Sequence, residues 1–129
     1  MILDSSAIVT LFLKEPGHET VRHKLVEAPV LAVGAATLVE AAIVLSARLD
    51  RDMRGSLARF IEENQVITIP FTEGHYGLAV TAWLKYGKGR HPAGLNFGDC
   101  MAYAVAKAAE MPLLCVGNDF PQTDLQLAI

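Results

Sequence analysis

Met1-Ile2-Leu3-Asp4-Ser5-Ser6-Ala7 opens the chain, and how it is read decides the architecture. Three consecutive apolar residues are too few for a helix and too apolar for a solvated turn. Met1-Ile2-Leu3 therefore reads as a short strand buried on both faces. Asp4 ends it. Ser5 or Ser6 can cap the helix that follows, whose apolar side is Ile8, Val9, Leu11, Phe12 and Leu13; Asp4 is a second candidate for the cap. Pro16-Gly17 breaks this helix.

The same alternation continues downstream. The pattern predicts a helix over 18–28 stopped by Pro29, then a buried strand over 30–35. A helix from Thr37 to about Leu49 is followed by another over 51–64, with Met53, Leu57, Phe60 and Ile61 at helical spacing. Val66-Ile67-Thr68-Ile69 is β-branched and reads as a strand. A helix over 72–86 packs Leu78, Ala79, Ala82 and Trp83. Gly87 to Gly94 is a loop, and Phe97 or Asp99 starts a helix to about Ala109. Pro112 to Val116 is a strand, Gly117-Asn118 a turn, and Leu125 to Ile129 a candidate last strand. Strands alternating with helices specify an α/β fold of one domain over residues 1–129: three layers, α/β/α, around a mostly parallel sheet of 4–5 strands.

Composition agrees with a packed globular chain: 129 residues, 52% hydrophobic and 19% charged. No apolar run reaches the roughly 18–20 residues of a membrane span, so no membrane role is expected. The first residues lack a basic leader segment, which speaks against secretion. Cys100 and Cys115 lie in apolar segments and suit a reducing cytoplasm as small core residues. A net charge of −3 argues against wholesale electrostatic binding of nucleic acid and leaves room for a local basic face.

Four acids stand where an apolar run meets a turn or a helix start: Asp4, Glu40, Asp99 and Asp119. In a parallel sheet such positions share the carboxyl edge, where ligands bind. Each has an ordinary alternative. Thr37 and Glu40 have capping-box spacing, Asp99 suits an N-cap, and Asn118-Asp119 suits a turn. Their joint placement points further. Two carboxylates ~5 Å apart repel by about 3 kcal/mol at an effective dielectric of about 20, so four together call for a cation. Hard oxygen donors without His or Cys suit Mg²⁺ or Mn²⁺, and phosphodiester hydrolysis is the chemistry that best uses such a site. Ser6, with a hydroxyl close to Asp4, either caps the helix, holds a metal-bound water or orients a carboxylate.

With these residues in view, the chain resembles the PIN-domain ribonucleases, specifically the VapC toxins of toxin–antitoxin pairs. The matching pieces are Ile2-Leu3-Asp4-Ser5-Ser6-Ala7, Thr37-Leu38-Val39-Glu40, Gly94-Leu95-Asn96-Phe97-Gly98-Asp99-Cys100 and Gly117-Asn118-Asp119-Phe120. The resemblance implies a pocket of Asp4, Glu40, Asp99 and Asp119 that binds Mg²⁺ or Mn²⁺ and cuts RNA. It also implies a homodimer and an inhibitory complex with a small VapB-like antitoxin. Ser5 stands where many relatives carry Thr, which keeps a hydroxyl.

Lys85, Lys88, Arg90 and His91 form one dense basic stretch, read as a flexible loop that holds RNA phosphates or as a plain solvated loop. Tyr86 or His91 can stack on a base or simply pack. Asn96 either orients Asp99, bonds substrate or only shapes the turn. His18, His23 and His75 read as surface or core histidines and Trp83 as core. Phe12, Leu45, Leu49, Leu57 and Phe60 belong to the core or to a partner surface. A non-catalytic, receiver-like module is the alternative, but Pro70-Phe71 follows the third strand where an acceptor Asp is needed. A haloacid-dehalogenase-like phosphatase needs a second Asp at position 6, which is Ser.

Overall fold

The computed structural model describes residues 1–128. Its sheet is built from β1 (Ile2–Leu3), β2 (Ala32–Gly34), β3 (Ile67–Ile69) and β4 (Leu113–Leu114), paired in the order β3-β2-β1-β4 and parallel throughout. The first strand of the chain is thus central, with Leu3 opposite Val33 on one side and Leu114 on the other. The candidate last strand is reduced to one parallel bridge between Leu113 and Leu127, with Ala128 N–H donating to Leu113 O at 2.9 Å. The remainder of that expectation, Ile129, lies outside the described residues.

Six helices cover the sheet: α1 (Ser5–Leu13), α2 (His18–Glu27), α3 (Ala35–Leu49), α4 (Arg54–Glu63), α5 (Glu73–Tyr86) and α6 (Phe97–Ala109). Successive strand residues point to opposite faces. Leu3, Val33 and Leu114 join one core with Ile8, Val21, Leu45, Leu57 and Phe60. Ile2, Ala32 and Leu113 join the other with Ala79, Ala82, Tyr103 and Val105. These two cores on one sheet are the three layers expected.

Several boundaries and burials differ from expectation. Helix α3 starts at Ala35, because Gly34 ends β2 and turns straight into it. A Cβ at Gly34 would sit 2.9 Å from Val105 Cγ2, so the strand passes close beneath α6. Met53 is buried but precedes α4, and its N–H is held by Ser46 Oγ at 3.0 Å. Trp83 is 44% exposed rather than core. The inward face of α5 is His75, Ala79 and Ala82, at helical spacing, and Trp83 falls just outside that stripe. His75 is buried because its ring closes a capping box with Thr72.

Leu45, Leu57 and Phe60 are core, and Phe12 meets Phe60 edge to face at 5.6 Å. The apolar residues left outside include Val39 and Ile43 on α3 and Tyr76, Val80, Trp83 and Leu84 on α5. No described helix is long and apolar enough to cross a membrane.

Candidate active site

Asp4 closes the central strand and is itself the N-cap of α1, so the cap expected of Ser5 or Ser6 is a carboxylate. Asp4 Oδ2 accepts from the Ser6 N–H at 3.1 Å and from Ser6 Oγ at 2.5 Å. Ser6 Oγ in turn accepts from Val116 N–H at 2.9 Å, which ties the ends of β1 and β4 together. Asp4 is only 2% exposed, and its Oδ1 is buried without a partner. Burial raises its pKa, the Ser6 bonds oppose that rise, and the charge of Glu40 adds to it.

Glu40 does not form the capping box that its spacing from Thr37 suggests. With Gly34 as the N-cap, Glu40 lies in the second turn of α3. Its Oε1 accepts from Ser5 Oγ at 2.6 Å, across from the first turn of α1. The other face of the carboxylate presses on Gly98, where a Cβ would collide with it.

Asp99 is the third residue of α6, not its cap. Asn96 is the cap and orients it reciprocally: Asp99 N–H donates to Asn96 Oδ1 at 2.9 Å, and Asn96 N–H donates to Asp99 Oδ2 at 3.0 Å. Burial pushes the Asp99 carboxyl up to about 6; the Asn96 bond opposes this, and the charges of Asp4, Asp119 and Glu40 reinforce it. One carboxylate therefore feels the other three. Asp119 stands exposed at the head of a 3₁₀ turn, Phe120–Gln122, with no side-chain cap bond. The buried Cys115 thiol, pushed up to about 12 by burial and then by Asp4, Asp99 and Asp119, senses the same acidic field.

Among the described residues, no three His, Cys, Asp or Glu side chains already stand at the spacing of one ion's ligand shell. The donors nevertheless fit a hard cation. Asp4, Glu40 and Asp99 each have one oxygen held by the chain's own donors, and among the described residues the other oxygen has no hydrogen bond.

The basic stretch is tied to its neighbours by backbone hydrogen bonds. Gly87 bridges Leu95, Lys88 N–H donates to Leu95 O at 2.9 Å, and Leu95 N–H donates to Tyr86 O at 2.9 Å. Arg90 stacks 4.7 Å from the Trp83 ring and donates to Leu84 O at 3.2 Å. His91 Nδ1 accepts from Ala93 N–H, and its ring packs edge-on against Tyr86 at 5.1 Å. Lys85 and Lys88 are exposed and, among the described residues, unpaired. Lys88 borders a groove of about 580 Å³ with Tyr76, Trp83, Asn96, Phe97 and Met101. Local sequence pattern does not mark the exposed aromatics, Phe97 between Asn96 and Asp99 among them. Ser5 was also missed as a site residue, although the doubled hydroxyl after Asp4 was the available signal.

Residues 1–125 match the family model of the PIN domain. Ribonuclease VapC36 of Mycobacterium tuberculosis is 46% identical over 127 residues, covering 98% of this chain and 91% of that protein. Ribonuclease VapC28 of the same organism is 40% identical over 130 residues, covering 100% and 98%. The crystal structure of M. tuberculosis VapC20, described as a Sarcin-Ricin loop cleaving toxin, superposes with a TM-score of 0.75 at 19% identity, covering 96% and 95% of the two chains. A toxin–antitoxin complex from Klebsiella pneumoniae superposes with a TM-score of 0.69 at 18% identity, covering 95% and 92%. The two structures establish the likeness of fold, and the family model and the two sequence relatives establish kinship: this chain belongs to the PIN-domain family.

Proposed function

We propose that the chain is a divalent-metal-dependent endoribonuclease and the toxin of a type II toxin–antitoxin pair. The observation that carries this reading is the trio Asp4, Glu40 and Asp99, each with one oxygen anchored and one left over, at the carboxyl edge of a parallel sheet. Asp4, Glu40 and Asp99, with Asp119 at the rim, would hold Mg²⁺ or Mn²⁺. Bound there, the ion supplies Lewis-acid stabilisation to phosphoryl oxygens and a more acidic water.

The chain's own residues do the rest. Ser6 fixes Asp4 Oδ2 and Asn96 fixes Asp99 Oδ2, so the free oxygens keep their direction. Lys85 and Lys88 offer exposed cations to backbone phosphates, an attraction that salt weakens. Arg90 and His91 shape the loop that presents Lys88. A VapB-like antitoxin and a second copy of the chain are the protein partners under this reading; the exposed apolar side chains of α3 and α5 are surfaces such partners cover. The compartment is cytoplasmic, in keeping with two free, buried cysteines.

The decisive assay incubates the purified chain with single-stranded and structured RNA in EDTA, Mg²⁺ or Mn²⁺. Cleavage is expected only with a divalent ion and is lost in Asp99→Asn. Cleavage undiminished in EDTA, or a fully active Asp99→Asn, overturns the reading.

A further inference from the structure

We propose that Ser5 and Gly98 together clamp Glu40, making Ser5 a positioning residue of the acidic site and Gly98 a position where any side chain would displace the carboxylate. The inference rests on the nuclease reading above and deepens it.

Glu40 has a long side chain on the second turn of α3, and its charge repels those of Asp4 and Asp99. Something must hold it in place. Ser5 Oγ donates its one proton to Glu40 Oε1 at 2.6 Å, the short distance of a hydroxyl bound to a carboxylate. On the opposite side, the carboxylate occupies the space that a Cβ of Gly98 would need, lying against the first turn of α6 beside Asp99. One oxygen is thus satisfied by Ser5, and Oε2 is left on the side facing Gly98.

Ser5 has no competing task. Asp4 caps α1, and the bond to Val116 belongs to Ser6. Among the described residues, the Ser5 hydroxyl has Glu40 as its hydrogen-bond partner. Gly98 lies inside α6, so its lack of a side chain is a matter of space and not of backbone freedom. Three segments remote in sequence therefore converge on one carboxylate.

The test compares Ser5→Ala, Ser5→Thr, Gly98→Ala and Glu40→Gln, reading Mn²⁺ binding by calorimetry on the protein alone, RNA cleavage, and Tm. Loss of a residue supporting a metal ligand typically weakens metal affinity or activity about 10–100-fold. Ser5→Ala and Gly98→Ala are each expected to weaken Mn²⁺ binding and kcat by that factor while Tm stays close to wild type. Ser5→Thr restores both, since it keeps the hydroxyl. In a Glu40→Gln background, Ser5→Ala should add little, because the two act as one unit.

Wild-type Mn²⁺ affinity and cleavage in Ser5→Ala, with Glu40→Gln impaired, overturn the clamp and leave the nuclease reading standing. If Glu40→Gln is itself fully active and binds Mn²⁺ normally, the fault lies in the nuclease reading. Should Ser5→Ala lose activity only in proportion to a fall in Tm, or resist rescue by Thr, the role is structural and the clamp fails.

Discussion

Ser6 Oγ lies 2.5 Å from Asp4 Oδ2 and leaves Oδ1 of the same carboxylate buried with nothing to bond. A buried, half-satisfied carboxylate is costly to the fold, and proteins keep such groups where function requires them. Asp4→Asn removes the charge and keeps the shape. RNA cleavage should fall by about two orders of magnitude or more. In EDTA, Tm should rise by about a few degrees, because a neutral amide replaces a desolvated charge. Parallel cleavage assays and thermal melts check both. An active variant, or one that melts far lower, contradicts the argument.

The acidic field also predicts a pH dependence. Asp99 is pushed up to about 6 and Asp4 is raised as well, so the folded chain binds these protons more readily than the unfolded one. The stability they contribute is full below the ordinary carboxylate pKa, near 4, and is lost as pH rises through about 6. With divalent ions chelated, Tm should decline between about pH 4 and pH 6, and Asp99→Asn should flatten that slope. Added Mg²⁺ should restore Tm mainly at the upper end, where the carboxylates are charged. A wild-type profile that matches Asp99→Asn in EDTA would falsify this.

Lys88 is exposed at the rim of the aromatic groove, whereas Arg90 is committed to Trp83 and Leu84. The two cations should therefore respond differently. Lys88→Ala is expected to weaken RNA binding and to lower the salt slope by about 0.7, the loss of one phosphate contact on a single strand. Arg90→Ala should instead cost about 0.5–1 kcal/mol of stability through the lost stacking. Filter binding across a salt series, paired with denaturation, separates them; identical behaviour of the two variants would count against the assignment.

Tyr103 reaches Asp124 Oδ1 at 2.7 Å, and Lys107 reaches Oδ2 of the same carboxylate at 2.8 Å. This pair fastens the C-terminal segment to α6, and burial raises the Tyr103 phenol well above its usual range. Tyr103→Phe should cost about 1–2 kcal/mol, the loss of a hydrogen bond to a charged acceptor. Urea denaturation measures it directly, and an unchanged midpoint would show that the segment is held by packing alone.

The sequence carried the alternation of elements clearly, because buried parallel strands leave short runs such as Ile2-Leu3 and Leu113-Leu114 that polar helix faces interrupt. It carried the acids too, because four carboxylates beside apolar runs share the carboxyl edge of a parallel sheet, which no single ordinary role explains. It concealed who holds them. Whether Glu40 caps its own helix depends on where α3 begins, and that is set by Gly34 passing under Val105, a contact between residues 71 positions apart. Trp83 looked like core because its size suggests burial, yet the stripe of His75, Ala79 and Ala82 turns it outward. The basic loop looked mobile because glycines punctuate it, although the Gly87–Leu95 bridge closes it. Local pattern reports what a residue can do, and tertiary register decides which neighbour it meets.

Because β1 lies inside the sheet, one of its two flanks is β4, a strand far along the chain. Leu3 meets Leu114 only after more than a hundred further residues, and Ser6 cannot receive the Val116 amide before then. The acidic edge is therefore expected to take its final geometry late in folding, once β4 has docked. Chains truncated before Leu113 should accordingly fail to cut RNA, a dependence on long-range pairing that a cleavage assay reads directly.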